Sequence, residues 1–151
     1  MNFDIINKAF TQYGITEVIG QEDNPEIIKY FTEIGFNSSW IKDETAWCSA
    51  SMNWIAKTSG YEYTGKLNAR SWLDVGVKVN NPVPGDVVVF WRGNTPHDTI
   101  GNTKLKKGHV GIYINDDTKY IYVLGGNQSN QYNIKPYLKS RLLGYRRLNK
   151  I

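Results

Sequence analysis

Apolar residues recur at helical spacing through the first half of the chain and in short, β-branched runs through the second, so helices are expected before strands. Phe3, Ile6, Phe10 and Tyr13 form the first helical stripe, with Gly14 as its stop. Asn24 can cap a second helix with Pro25 at its first position, Ile27, Phe31 and Ile34 on one face, and an end near Gly35. A third is expected to begin near Asp43 or Thr45 and to end by Gly60. It carries two stripes, Trp47, Ala50, Trp54 and Cys48, Met52, Ile55, which predicts a helix sandwiched between other elements. A short helix around 68–75 follows, and Pro82, Pro84 and Gly85 break the chain before a strand over 86–91. Gly108 to Ile114 and Tyr120 to Leu124 read as strands joined by the turn Asp116-Asp117-Thr118-Lys119, an antiparallel hairpin. Between the first two of these strands lies the longest loop, Gly93 to Lys107, which leads directly into His109. No repeat, linker or low-complexity tract interrupts the pattern, so residues 1–151 are expected to form one domain.

Composition sharpens this picture only in places. A length of 151 residues suits a single core, and aromatics at 13%, including five tryptophans, supply large surfaces to bury. One cysteine excludes a disulfide scaffold and the cysteine-rich zinc sites. The first residues lack both a basic leader and a long apolar run, so neither a signal peptide nor a membrane span is expected. The net charge of +4 is modest, but Lys104, Lys106 and Lys107 precede His109, and Lys139, Arg141, Arg146 and Arg147 cluster later. These could attract an anionic polymer, or could simply be solvated charges on loops and strand edges. Nucleic acid is not expected as a partner, because no glycine-rich phosphate loop, helix-turn-helix or RNA-binding aromatic motif is present.

The candidate chemistry starts from Cys48. Taken alone, a lone cysteine is ordinarily a small buried hydrophobe. At a helix N-terminus, however, partial positive charge favours the thiolate, and the question becomes whether a base and an orienting group accompany it. Of the two histidines, His97 sits among turn formers and reads as an exposed loop residue, whereas His109 opens the strand Gly108 to Ile114 and would be held rigidly. His109 is therefore the expected base. The next strand ends in Gly125-Gly126-Asn127-Gln128, where Asn127 could accept from the far ring nitrogen of His109 or could be a plain turn residue. Trp47 could line a substrate groove beside the nucleophile, while the other aromatics, including Trp72, Trp91, Tyr113, Tyr120 and Tyr122, are expected in the core. Glu17, Glu22 and Asp23 show no spacing that singles out a glycosidase pair.

The runs Asp43 to Cys48, Pro84 to Phe90, Gly108 to Gly111 and Val123 to Gln128, in that order, resemble the NlpC/P60 and CHAP group of cysteine peptidases and amidases, in particular a small phage and bacterial subgroup. The resemblance runs from about Gly14 to Arg147. It implies an α+β, papain-like fold in which N-terminal helices, including the one bearing the cysteine, pack on a central antiparallel sheet. It also implies Cys48 as nucleophile, His109 as base and Asn127 as the polar third residue. Many CHAP relatives carry a glutamate shortly before that asparagine, where this chain has Gly125 and Gly126, and the oxyanion glutamine of papain-like enzymes has no clear counterpart. The Cys48 backbone N-H and a polar group from Asp43 to Thr45 are the substitutes expected to contact substrate. The implied activity is hydrolysis of a peptidoglycan amide bond, by an endopeptidase or an N-acetylmuramoyl-L-alanine amidase, without metal or cofactor. The setting would be a monomeric phage lysin, or an interbacterial effector with an immunity protein as partner, made in the cytoplasm and acting at the wall. A non-catalytic wall-binding module of the same fold and a thioester acyltransferase are the alternatives.

Overall fold

The computed structural model describes residues 1–18, 24–37 and 47–151. Helix α1 (Phe3–Phe10) starts where the Asn2 side chain accepts from the Ile5 amide at 3.2 Å. Helix α2 (Pro25–Thr32) starts where Asn24 accepts from Glu26 at 2.9 Å, with Pro25 at the position where a missing N-H costs nothing. It buries Ile27, Tyr30 and Phe31, close to the expected face. For α1 the expected stripe is wrong. Ile5 and Ala9 are the buried residues, while Phe3, Phe10 and Tyr13 stand exposed and Phe10 stacks on Tyr13. The line Ile5, Ala9, Gln12 packs inward because Gln12 accepts from the buried Tyr30 hydroxyl at 2.8 Å, a polar contact that hydrophobicity alone does not signal.

Helix α3 (Cys48–Thr58) begins at Cys48, later than expected, after the non-helical Trp47. It is buried on every side from Cys48 to Ala56, as its two stripes foretold. Its polar residues are satisfied internally. Ser49 Oγ and Asn53 Nδ2 donate to the Lys66 carbonyl at 2.7 and 2.9 Å, the Asn53 carbonyl oxygen accepts from the amides of Thr64 and Gly65, and Ser49 Oγ accepts from Trp72. Trp72 lies in a 3-10 helix, Ala69–Asp74, where a short helix was expected.

Six antiparallel strands follow: β1 (Val77–Val79), β2 (Val87–Trp91), β3 (Gly108–Asp116), β4 (Tyr120–Gln128), β5 (Gln131–Leu138) and β6 (Leu142–Arg147), in the order β1-β6-β2-β3-β4-β5. Val87, Val89, Val110, Ile112 and Leu124 face the helices. Val88, Phe90, Tyr113, Ile121 and Val123 form a second cluster, which explains why β2 reads as an unbroken apolar run. Phe90 on β2 stacks on Tyr137 of β5 with ring centroids 5.0 Å apart although β3 and β4 lie between their strands, so the sheet is strongly curled. The start of α3 approaches the sheet closely at Gly126, where a Cβ would lie 2.5 Å from the Trp47 ring and 2.6 Å from Ser51 Oγ.

Much of the later basic cluster is used inside the fold. Arg147 forms a two-pronged ion pair with Asp86, which is 1% exposed, at 2.9 and 2.8 Å. Arg146 donates to the Leu73 carbonyl, Lys139 pairs with Asp116, and the Arg141 guanidinium lies over Trp91. Those four cations are therefore wholly or partly engaged by the protein itself, which removes them as the main attractor for an external polymer.

Candidate active site

Cys48 is the first residue of α3, 5% exposed, and His109 is the second residue of β3, fully buried. The sulfur feels the amide N-H groups of Cys48 itself, of Ser49 and of Val110, the residue directly after His109. The start of β3 thus lies against the N-terminus of α3. No hydrogen bond joins the thiol to the imidazole, since His109 Nδ1 is buried without a partner. Resting geometry at such sites is often loose and tightens when substrate binds.

The expected orienting residue must be corrected. The far ring nitrogen, His109 Nε2, lies 2.9 Å from Gln128 Oε1, and Asn127 makes no hydrogen bond to the ring. The cause is a β-bulge. Gly125 and Gln128 pair with Asn133 and Gln131, so β4 spends three steps where β5 spends two. Asn127 absorbs the extra residue with φ 57°, a left-handed conformation that asparagine tolerates, and the alternation beyond it is shifted so that Gln128 takes the place one would give to its neighbour.

Gln128 also determines the histidine's tautomer. Its Nε2 donates to the Val123 carbonyl at 3.0 Å, the Asn133 carbonyl at 2.8 Å and Asn133 Oδ1 at 3.1 Å. These acceptors fix the amide with its oxygen toward His109, so the imidazole must donate from Nε2 and keep Nδ1 as an unprotonated acceptor. A buried acceptor left unpaired costs about 1–3 kcal/mol, which marks Nδ1 as a position held ready for a proton.

The electrostatics depart from the expected thiolate. Burial dominates and raises the Cys48 thiol above its ordinary range, against the lowering effects of Arg92 and the helix-terminal amides. Burial, assisted by Arg92, pushes His109 down to about 3, with the Gln128 hydrogen bond opposing. The resting pair is therefore a neutral thiol and a neutral imidazole.

Two further residues complete the site. Tyr137 stacks on the His109 ring at 4.7 Å and 19°, covering the imidazole and bridging it to Phe90. Arg92, just past the end of β2, is near enough for its charge to act on Cys48, His109 and Tyr137, and no ion pair engages it among the described residues. Neither was anticipated: Tyr137 lies on a strand with weak alternation, and only the curl of the sheet carries it over His109. Trp47 is corrected as well. It is fully buried, stacks on Tyr30 at 5.9 Å and donates to Glu17 at 2.8 Å, so it belongs to the core and offers no face to a ligand. Asp43, Thr45, Glu22 and Asp23 lie outside the described residues. His97 is an exposed loop residue, as expected. Among the described residues no cluster of histidine, cysteine and carboxylates could hold a metal, and no helix is long and apolar enough to cross a membrane.

No curated protein sequence matches the chain. A solved structure from Staphylococcus aureus, described as similar to a lipoprotein of the NLP/P60 family, superposes with a TM-score of 0.53 and 18% identity, over 95% of this chain and 40% of its own. The present chain thus spans less than half of that protein, and the likeness shows the fold. The CHAP domain model matches residues 40–127, more than half the chain and a span that contains Cys48, His109 and Asn127. The chain belongs to the CHAP domain family, built on an NlpC/P60-like α+β fold.

Proposed function

We propose that this protein hydrolyses an amide bond of peptidoglycan by a cysteine mechanism in which Cys48 is the nucleophile, His109 the base and Gln128 the residue that orients the base. The observation that carries this reading is the fixed hydrogen bond from His109 Nε2 to Gln128, which leaves Nδ1 as a buried, unpartnered acceptor on the residue before Val110, whose amide acts on the Cys48 sulfur. Membership of the CHAP family supports the peptidoglycan-hydrolase class and wall polymer as substrate.

The neutral resting pair assigns His109 a general-base role in place of a preformed ion pair. Nδ1 takes the thiol proton as sulfur attacks the carbonyl carbon, and backbone N-H groups at the start of α3 stabilise the oxyanion. The protonated imidazole then donates to the departing amine, and water, deprotonated by the same nitrogen, hydrolyses the thioester. A phage lysin or an interbacterial effector would put this chemistry to use at the wall.

The test is mass spectrometry of fragments released from purified peptidoglycan. Wild type should generate a new amine and carboxyl pair that identifies the bond, and Cys48→Ala should release none. A second reading, a non-catalytic wall-binding module, is favoured by the raised thiol and the missing thiol-imidazole hydrogen bond. Binding to walls with no fragments released by wild type would decide for it.

A further inference from the structure

Beside the candidate site, the 3-10 helix and the 93–107 loop enclose a groove of about 570 Å³ lined by Lys66, Arg70, Lys104 and Lys106, with Asp74 as the one acid on its walls. These cations come from two separate stretches of chain, 66–74 and 104–106, and converging like charges repel. The fold does not neutralise them, because no ion pair engages any of the three lysines among the described residues. Arg70 spends its fork on the protein, donating to the carbonyls of Lys107 at 2.9 Å and Pro96 at 2.6 Å, and so ties the two walls together. The exposed lysine heads remain as hydrated point charges suited to spaced anions, without the planar fork that selects a single carboxylate.

The groove is anchored beside the site. Its Lys66 end is held by Ser49, the residue after Cys48, and its Arg70 end lies on Gly108, the residue before His109, where a Cβ would sit 3.1 Å from Arg70 Cγ. The groove walls are thus fastened to the residues that flank both candidate catalytic residues in the chain.

We propose that this groove is a subsite for a polyanion, holding repeated anionic groups of a wall polymer so that the attached peptide reaches Cys48. It rests on the peptidoglycan reading above. The shared chemistry is a spaced run of phosphodiesters or carboxylates, supplied by a phosphate polymer bound to the wall or by the stem peptides themselves.

The test measures sedimentation of the protein with purified walls, together with cleavage of a small, uncharged soluble muropeptide. Lys104→Gln/Lys106→Gln should bind native walls about fivefold more weakly at low salt, with a shallower loss as salt rises, and should cleave the muropeptide like wild type. Lys8→Gln/Lys119→Gln removes the same charge from helix α1 and the far end of the β3-β4 hairpin, and should bind like wild type. Stripping phosphodiester polymers from the walls with hydrofluoric acid should abolish the difference between wild type and the groove variant if phosphate is the ligand. Amidating the free carboxyls should abolish it if the stem peptides are. A groove variant that binds as tightly as wild type, or no more weakly than the control pair, overturns the proposal. Loss of cleavage by Cys48→Ala tests the catalytic reading separately, since wall binding needs no turnover.

Discussion

Gln128 and Asn127 differ by one position and should differ sharply in consequence. Gln128→Ala removes the acceptor from His109 Nε2 and frees the tautomer, so turnover on peptidoglycan should fall about 10–100-fold with binding retained. Asn127→Ala touches no atom of His109 and should cost only about 1 kcal/mol of stability from the left-handed backbone at φ 57°, read by denaturant unfolding, while Asn127→Gly should cost less. Equal damage to turnover from both alanine variants would mean that the bulge, and not the glutamine, is what matters. The thiol offers a further check. With Cys48 raised by burial and held down chiefly by Arg92, iodoacetamide labelling of the free enzyme should climb through the alkaline range, and Arg92→Gln should slow it at any given pH. A plateau already reached below pH 7 would show a preformed ion pair instead. The placement of Cys48 at a helix start and of His109 at a strand start was legible in the sequence because each sits at a recognisable boundary. The partner of His109 Nε2 was not, because a bulge changes which side chain faces inward without changing which residues are present.

Among the elements, the start of α3 meets β4 closely at Gly126, a contact easily broken. Gly126→Ala would drive a methyl group into the Trp47 ring and Ser51, both fixed by their neighbours, and should cost about 1–3 kcal/mol and displace the Cys48 end of the helix. Unfolding midpoint and activity should therefore fall together in that variant. The presence of the helices, β2, β3 and the start of β4 was readable from periodicity and β-branched runs, though the buried face of α1 was not. Strands β1, β5 and β6 were not. β1 is three residues long, β5 contains Pro136 and survives it as an edge strand, and β6 is half-exposed throughout, so none presents the apolar rhythm that marks a strand before its neighbours are known. Tyr137 was lost with β5. The same limit hid the division of the cations, since which ones the fold consumes and which it leaves in the groove depends on pairings across the sheet.

For the molecule as a whole, His109 ties stability to pH. Its folded value, pushed down to about 3, lies below the ordinary 6.5, so below pH 6.5 the unfolded chain binds a proton that the folded protein refuses. The histidine's penalty is absent above pH 6.5 and grows as pH falls toward 3, by at most about 1.4 kcal/mol per pH unit. Urea midpoints measured from pH 7 to pH 4 should decline, and His109→Gln should flatten that decline. An unchanged slope in the variant would place the acid sensitivity elsewhere.

Strand β6 is seated between β1 and β2, two strands that are near neighbours in sequence, and fifty residues separate it from β2. Until residues 142–147 have left the ribosome, one edge of β2 has no partner, β1 has nothing to pair with, and Asp86 has no arginine. The β2-β3-β4 ribbon carrying His109 can form earlier, but the closed sheet cannot. Folding must therefore wait on a late, distant pairing, in the slower range of small domains. A chain halted before Leu142 would display the open flank of β2, a ready template for aggregation during synthesis.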